Sequence, residues 1–359
     1  MPTGSAPLIR VLVVDDSAVI RSIIRTALAA DPQVEVVGTA ADGAEALSKI
    51  AQLRPDVVTL DVEMPRMNGL AVLDRAAGKI PASFLMVSTL TQAGAQITFD
   101  ALRKGAVDYI TKPQSTAKAA LPEFRDELLV KVRAAARCKG RVRRLLQEAG
   151  GSTAPTLPPN KVRGWVVAIG ISCGGPQTLY EMLPSFPSDF VPILVTQHMP
   201  AAFTGTFARH LDQRCAMKVK EAVHNEPLAD GTIYIAPGSH HLKLARRGVQ
   251  LHTVLDDGPE VSGHRPSADV MLESVAKVCG ARAVGVIMTG MGRDGANGLG
   301  LVRDAGGVTI AQDEATSFVY GMPKAAAQTG KVQQVVPLPR IPQAIAQALQ
   351  GQRLAASTV

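Results

Sequence analysis

The chain has 359 residues, 46% of them hydrophobic and 19% charged, with a formal net charge of +7. That length suffices for two domains that each bury a core, and the composition excludes a disordered chain. No apolar run approaches the roughly 18 residues that span a bilayer, the first residues lack a secretory layout, and Cys138, Cys173, Cys215 and Cys279 form neither a disulfide framework nor a zinc pattern, so a reduced, cytoplasmic protein without membrane insertion is expected.

From residue 8 to about 125, apolar runs alternate with helical spacing. Strands are expected over 9–14, 34–40, 57–60, 84–87 and 108–110, and helices over 17–30 (capped by Ser17), 44–53 and 95–104. Five strands with intervening helices make a flavodoxin-like (βα)5 domain over residues 1–125. A helical stretch from 123 to about 147 follows, then Gly150-Gly151-Ser152-Thr153-Ala154-Pro155, the composition of a mobile linker. Residues 126–163 are assigned to this connector. Within 133–163 stand eight cations, Arg133 and Arg137 first, against one anion, Glu148, so this segment holds the whole positive excess. Basic charge in a connector rather than on a domain face argues against nucleic-acid binding.

The second domain is expected over 164–359. Apolar runs at 165–169, 191–197 and 283–289 can each be followed by a helix, which predicts parallel neighbours in a doubly wound sheet. The stretches 232–236 and 242–254, turning at Arg246-Arg247-Gly248, look like an appended hairpin, and 341–350 like a last helix. This half is strand-rich, nearly uncharged overall and lacks a recognition helix, which disfavours a DNA-binding output domain.

In such sheets ligands bind beyond the carboxyl ends of the strands. The first run leads into Gly170-Ile171-Ser172-Cys173-Gly174-Gly175, a serine among glycines on a strand-to-helix turn. Small neighbours permit a tight turn, and a helix start offers N–H groups to an oxyanion, although such turns also bind phosphates. His198 ends the second run, and Asp294 follows the third within Gly290-Met291-Gly292-Arg293-Asp294-Gly295. Ser172, His198 and Asp294 therefore share one rim, with the side-chain types of a hydrolase triad in an order unlike that of α/β-hydrolases.

In the first domain Asp15 and Asp16 end strand one and Asp61 ends strand three, its neighbour in a flavodoxin-like order. Three converging carboxylates repel unless a cation compensates them, and Mg²⁺ suits such a site. Ser88 and Lys112-Pro113, ending strands four and five, would stabilise phosphoryl oxygens, with Asp61 as the nucleophile that forms an aspartyl phosphate. Taken alone, Asp15 and Asp16 read equally as caps of the first helix.

Val11-Leu12-Val13-Val14-Asp15-Asp16-Ser17, Leu60-Asp61-Val62-Glu63-Met64-Pro65 and Tyr109-Ile110-Thr111-Lys112-Pro113 resemble the signature segments of two-component receiver domains. Gly170–Pro176, Gln197-His198-Met199, His264-Arg265-Pro266-Ser267, Thr289–Gly295 and Tyr320-Gly321-Met322-Pro323-Lys324 resemble the chemotaxis protein-glutamate methylesterase family, the CheB type. The resemblance covers nearly the whole chain outside the linker. It implies a phosphorylation-activated enzyme that hydrolyses glutamate γ-methyl esters, and deamidates particular glutamines, on cytoplasmic chemoreceptor helices. A chemotaxis histidine kinase would be the phosphodonor. Ser172, His198 and Asp294 take the triad roles by matching motifs, Asp61 the phosphorylation site and Asp15 and Asp16 the Mg²⁺-site acids. Ser88 and Lys112 become phosphoryl-sensing positions and Tyr109 the mobile aromatic. The ester step is expected to need no cofactor. Where the family has a small residue this chain has Cys173, expected to pack as one while the N–H groups of Cys173 to Gly175, with Gly174 between them and Met291 on the facing loop, form the oxyanion hole. The same motifs would also serve a serine esterase or amidase acting on a signalling partner outside chemotaxis.

The other histidines, His264 among them, are expected at the surface or in packing. His240-His241 lack acidic or thiol partners at metal-ligand spacing. Arg265 is expected either to face substrate acidity or to form a structural ion pair.

Overall fold

A computed structural model describes residues 7–113, 121–138, 157 and 163–351. The chain divides into two compact units, Met1–Ser152 and Thr153–Val359.

The first unit runs β1 (Ile9–Val14), α1 (Ala18–Leu28), β2 (Val34–Ala40), α2 (Gly43–Leu53), β3 (Val57–Asp61), α3 (Gly69–Ala76), β4 (Ser83–Ser88), α4 (Gln92–Arg103), β5 (Ala106–Thr111) and α5 (Leu121–Arg137). Its parallel sheet has the order β2-β1-β3-β4-β5. Val11 to Val14 are wholly buried, which is why this strand reads as an unbroken apolar run: parallel sheets are covered on both faces. Ser17 caps α1 as expected, its side chain accepting from Ile20 N. The helix α3, capped by Asn68, was not evident in the sequence.

The domain boundary expected at residue 125 falls inside α5. Phe124, Leu128, Val132 and Ala135 of that helix are buried, and its Arg133 pairs with Asp31 at 2.6 Å. An amphipathic helix with a filled apolar stripe belongs to the body it packs on. The first cation of the basic segment therefore sits on the first unit, not in a connector. Residues 139–156, which hold most of the remaining basic run and the expected linker, lie outside the described residues.

The second unit runs β6 (Val166–Ile171), α6 (Gly175–Met182), β7 (Ile193–Gln197), α7 (Ala201–Asp212), β8 (Lys218–Glu221), β9 (Thr232–Ile235), β10 (His241–Arg247), β11 (Gln250–Asp256), α8 (Ala268–Cys279), β12 (Ala283–Ile287), α9 (Ala296–Asp304), β13 (Val308–Gln312), α10 (Met322–Gln328), β14 (Gln334–Val336) and α11 (Ile341–Leu349). Seven strands form a parallel sheet in the order β14-β13-β12-β6-β7-β9-β8, and β10 with β11 forms a separate antiparallel hairpin. The stretch 232–236, grouped with the hairpin on sequence, is instead the parallel strand β9, with Ile233 beside Ile193. Its four residues are all buried, as suits an interior strand between β7 and β8.

The chain leaves β6 on the side of β7 and returns on the other side as β12, so Val167 lies between Ile193 and Val284. That reversal opens a crevice at the carboxyl end of β6, the place where doubly wound sheets bind ligands.

Candidate functional site

Ser172 directly follows β6, His198 directly follows β7, and Asp294 lies between β12 and α9. Backbone bonds tie these ends together: His198 N donates to Ile171 O at 3.1 Å, and Ser172 N donates to Thr289 O at 2.9 Å. The loop after β12 passes very close to the serine. A Cβ on Gly290 would lie 2.8 Å from Ser172 Cβ and 2.2 Å from Met322 Sδ, so no side chain fits there.

Asp294 and His198 form a pair, with Nε2 2.7 Å from Oδ2. The carboxylate is otherwise held by the N-terminus of α8. Its Oδ1 accepts from Ser267 Oγ at 2.6 Å and Asp269 N at 3.1 Å, and its Oδ2 accepts also from Ala268 N at 2.6 Å. Burial works to raise the Asp294 pKa, but the bonds from His198, Ser267 and Ala268 prevail and hold it below the usual carboxylate value. Facing an ionised carboxylate, Nε2 must carry the ring proton, which leaves Nδ1 as the acceptor. Nδ1 is buried and has no partner among the described residues, and no hydrogen bond joins it to Ser172 Oγ. The ring is thus turned opposite to the familiar serine-protease arrangement, in which Nε2 faces the serine.

His264 stacks on His198, ring centroids 3.7 Å apart and planes inclined by 20°. Sequence assigned it only to surface or packing; the packing is against the candidate base itself. Cys173 is buried and its carbonyl accepts from Thr289 Oγ1 at 2.8 Å, while Gly175 N–H donates to Ser172 O at 2.8 Å. The Gly175 N–H, one of the groups expected to meet an oxyanion, is therefore already engaged. Gly174 stands at the start of α6 in the left-handed region, and Met291 is exposed on the Gly290–Gly292 loop.

Arg265 forms no ion pair among the described residues; it donates to the backbone oxygens of Asp257 and Gly258. His241 is buried, with Nδ1 near Ser267 N and Nε2 near Pro259 O, while His240 pairs with Asp257 at 3.1 Å.

The first unit carries the other cluster. Ligand atoms of Asp15, Asp16 and Asp61 lie within 4.8 Å of one another, an all-oxygen donor set that fits a hard divalent cation such as Mg²⁺. Asp15 also takes part in the helix start, accepting from Ser17 N at 2.9 Å. Lys112 Nζ lies 2.8 Å from Asp61 Oδ2 and 2.9 Å from Asp15 Oδ2. Burial, with the nearby Asp15 charge, pushes the Asp61 pKa up to about 6 despite the Lys112 bond. Burial opposes the charge on Lys112 as well, but its carboxylate bonds outweigh that and raise its pKa. Ser88 Oγ is turned toward α4, bonded to Thr98 Oγ1 at 2.8 Å, and Tyr109 is buried edge-on to Phe99 with Lys131 over its ring at 5.2 Å.

These features define a class: a receiver-type phosphoacceptor unit joined to a doubly wound unit with a Ser, His, Asp constellation at its switch point. Residues 11–121 match the response regulator receiver domain model and residues 167–345 the CheB methylesterase model. A protein-glutamate methylesterase/protein-glutamine glutaminase of Pyrococcus abyssi is 45% identical over 349 residues, covering 95% of this chain and 94% of the relative. A protein of that name from Cupriavidus pinatubonensis is 46% identical over 340 residues, covering 93% and 94%. The crystal structure of the Thermotoga maritima CheB methylesterase catalytic domain is 38% identical, with a TM-score of 0.51, covering 52% of this chain and 99% of that one. The chain belongs to the CheB methylesterase family, with an N-terminal receiver domain.

Proposed function

We propose that this protein hydrolyses γ-methyl esters of chemoreceptor glutamates, and the amides of particular receptor glutamines, in chemotactic adaptation, under control of phosphorylation at Asp61. The observation that carries the reading is the His198–Asp294 pair at the end of the sheet, with Nδ1 buried and without a partner among the described residues, on the strand end next to the one that carries Ser172.

Ser172 Oγ attacks the ester carbonyl while His198 Nδ1 takes its proton, and Asp294 stabilises the resulting imidazolium through Nε2–H. Backbone N–H groups at Cys173 and Gly174, with the Gly290–Gly292 loop, meet the developing oxyanion, each donor worth roughly 3 kcal/mol. Nδ1 then returns the proton to the leaving oxygen and methanol departs. Water, deprotonated by the same base, attacks the acyl-enzyme and leaves a glutamate carboxylate and a free Ser172. With a glutamine substrate the departing group is ammonia. Nucleophile, base and oxyanion donors all come from this chain.

In the receiver, Asp15, Asp16 and Asp61 would hold Mg²⁺, which when bound neutralises phosphoryl charge. Asp61 accepts the phosphoryl group from a histidine kinase and Lys112 pairs with the added charge. Ser88 leaves Thr98 for a phosphoryl oxygen, and Tyr109 follows it.

The test measures methanol released from methylated receptor membranes by the full chain, with and without acetyl phosphate and Mg²⁺. Wild type should release methanol, and Ser172→Ala should lose on the order of 10⁶ in kcat. Near-normal turnover by Ser172→Ala would overturn the reading.

A further inference from the structure

Gln197, the last residue of β7, is buried, and its side-chain amide spans the two strand ends that carry the candidate nucleophile and base. Nε2 donates to Ser172 O at 3.0 Å and to His198 O at 3.0 Å. Among the described residues it is the side chain bonded to both. The amide orientation follows from chemistry, because exchanging its O and N would set an oxygen against two carbonyl oxygens.

The other end of the amide points at α6. Gln197 Oε1 has no hydrogen-bond partner among the described residues, and a Cβ on Gly175 would lie 1.9 Å from it. Gly175 is thus a glycine because this amide occupies the space a side chain would need. A buried acceptor without a donor carries a stability penalty. For stability alone, a leucine or methionine of similar size would fill the place without that penalty. What the amide adds is its pair of donors, both spent on Ser172 and His198.

We propose that Gln197 is a positioning residue that sets the separation of Ser172 and His198, and with it the reach from Oγ to Nδ1. On the far side Thr289 holds the same turn, accepting from Ser172 N and donating to Cys173 O. The nucleophile turn is clamped between the two, and Gln197 is the half of the clamp that also grips the base. The proposal rests on the reading of Ser172 and His198 as nucleophile and base.

The test compares full-length wild type, Gln197→Glu, Gln197→Met and Ser172→Ala. Gln197→Glu keeps the shape and loses the amide donors; Gln197→Met keeps the approximate volume with none. Three readouts are taken: kcat and KM for methanol release from methylated receptor membranes, the rate of Ser172 labelling by a fluorophosphonate, and thermal unfolding by near-ultraviolet circular dichroism. A displacement of the order of 1 Å at a reacting pair costs roughly 100-fold in rate. Both Gln197 variants should therefore lose about that factor in kcat and in labelling rate, with KM unchanged and unfolding still cooperative. Wild-type kcat in folded variants would overturn the proposal. So would loss of cooperative unfolding in both, which would make Gln197 a scaffold residue. If Ser172→Ala is inactive while the Gln197 variants are normal, the positioning role alone fails; an active Ser172→Ala removes the reading beneath it.

Discussion

Both units place a buried aspartate at the carboxyl end of a parallel strand, and their surroundings treat the two in opposite ways. Asp61 closes β3 with a lysine and a long contact from Glu63 N as donors, beside the like charge of Asp15. Burial dominates there and lifts its pKa to about 6. Asp294 is just as deeply buried, yet it accepts from His198, Ser267 and two amides at the start of α8, and its pKa falls. The contrast lies in the supply of donors, not in burial. A carboxylate left short of donors retains the lone pairs it needs to bind a cation or take up a phosphoryl group. One saturated with donors can only hold its imidazole still.

Breaking the saturated site should have the largest effect. Asp294→Asn puts an amide where four donors converge, so it either repels an N–H or loses the ring, and kcat for methanol release should fall by roughly 10⁴. A loss of less than tenfold would mean that the pair does not orient the base. At the open site, Asp61→Asn removes the proposed phosphoacceptor. Methanol release in acetyl phosphate and Mg²⁺ should then equal release without them, whereas wild type should be stimulated. Stimulation that survives the substitution would move the acceptor elsewhere.

The smallest effect sharpens the contrast. Ser267→Ala removes one donor from Asp294 and should lower stability in urea by about 1–2 kcal/mol. Because the Asp294 pKa is lower folded than unfolded, its stabilising contribution is complete above the unfolded value near 3.9 and fades as pH falls through the folded one. The gap between wild type and Ser267→Ala should therefore narrow below about pH 4. A gap that stays constant with pH would assign Ser267 to capping α8 alone.

The strands were legible because parallel strands buried on both faces carry unbroken apolar runs, 11–14 in β1, 166–171 in β6, 193–195 in β7 and 283–287 in β12. The residues just past those runs were legible for the same reason, since a strand end in such a sheet faces the crevice. The structure brings His198 and Asp294 into contact, and gathers Asp15, Asp16 and Asp61 with Lys112. Less visible was everything that acts through a bond to a residue distant in sequence. Gln197 and Ser267 stand inside the segments that carry the family resemblance, but neither residue type has a periodic or charge signal, and Ser172 and Asp294, which they bond, lie 25 and 27 positions away. His264 stacks on His198 across 66 positions, a contact no local pattern encodes. The hairpin was drawn too wide because Thr232–Ile235 has the alternation-free composition of either kind of strand. Only its neighbours β7 and β8 decide between them.

The pairing of β6 with β12, Val166 beside Ala283, joins the first strand of the second unit to one that emerges much later from the ribosome. Contacts of such long sequence separation form slowly, since a large loop must close before they return any free energy. Until β12 arrives, Ser172 lacks the carbonyl of Thr289 and His198 lacks its carboxylate. With Ser172 and His198 in the proposed roles, a nascent chain that ends before Asp294 carries no competent hydrolase.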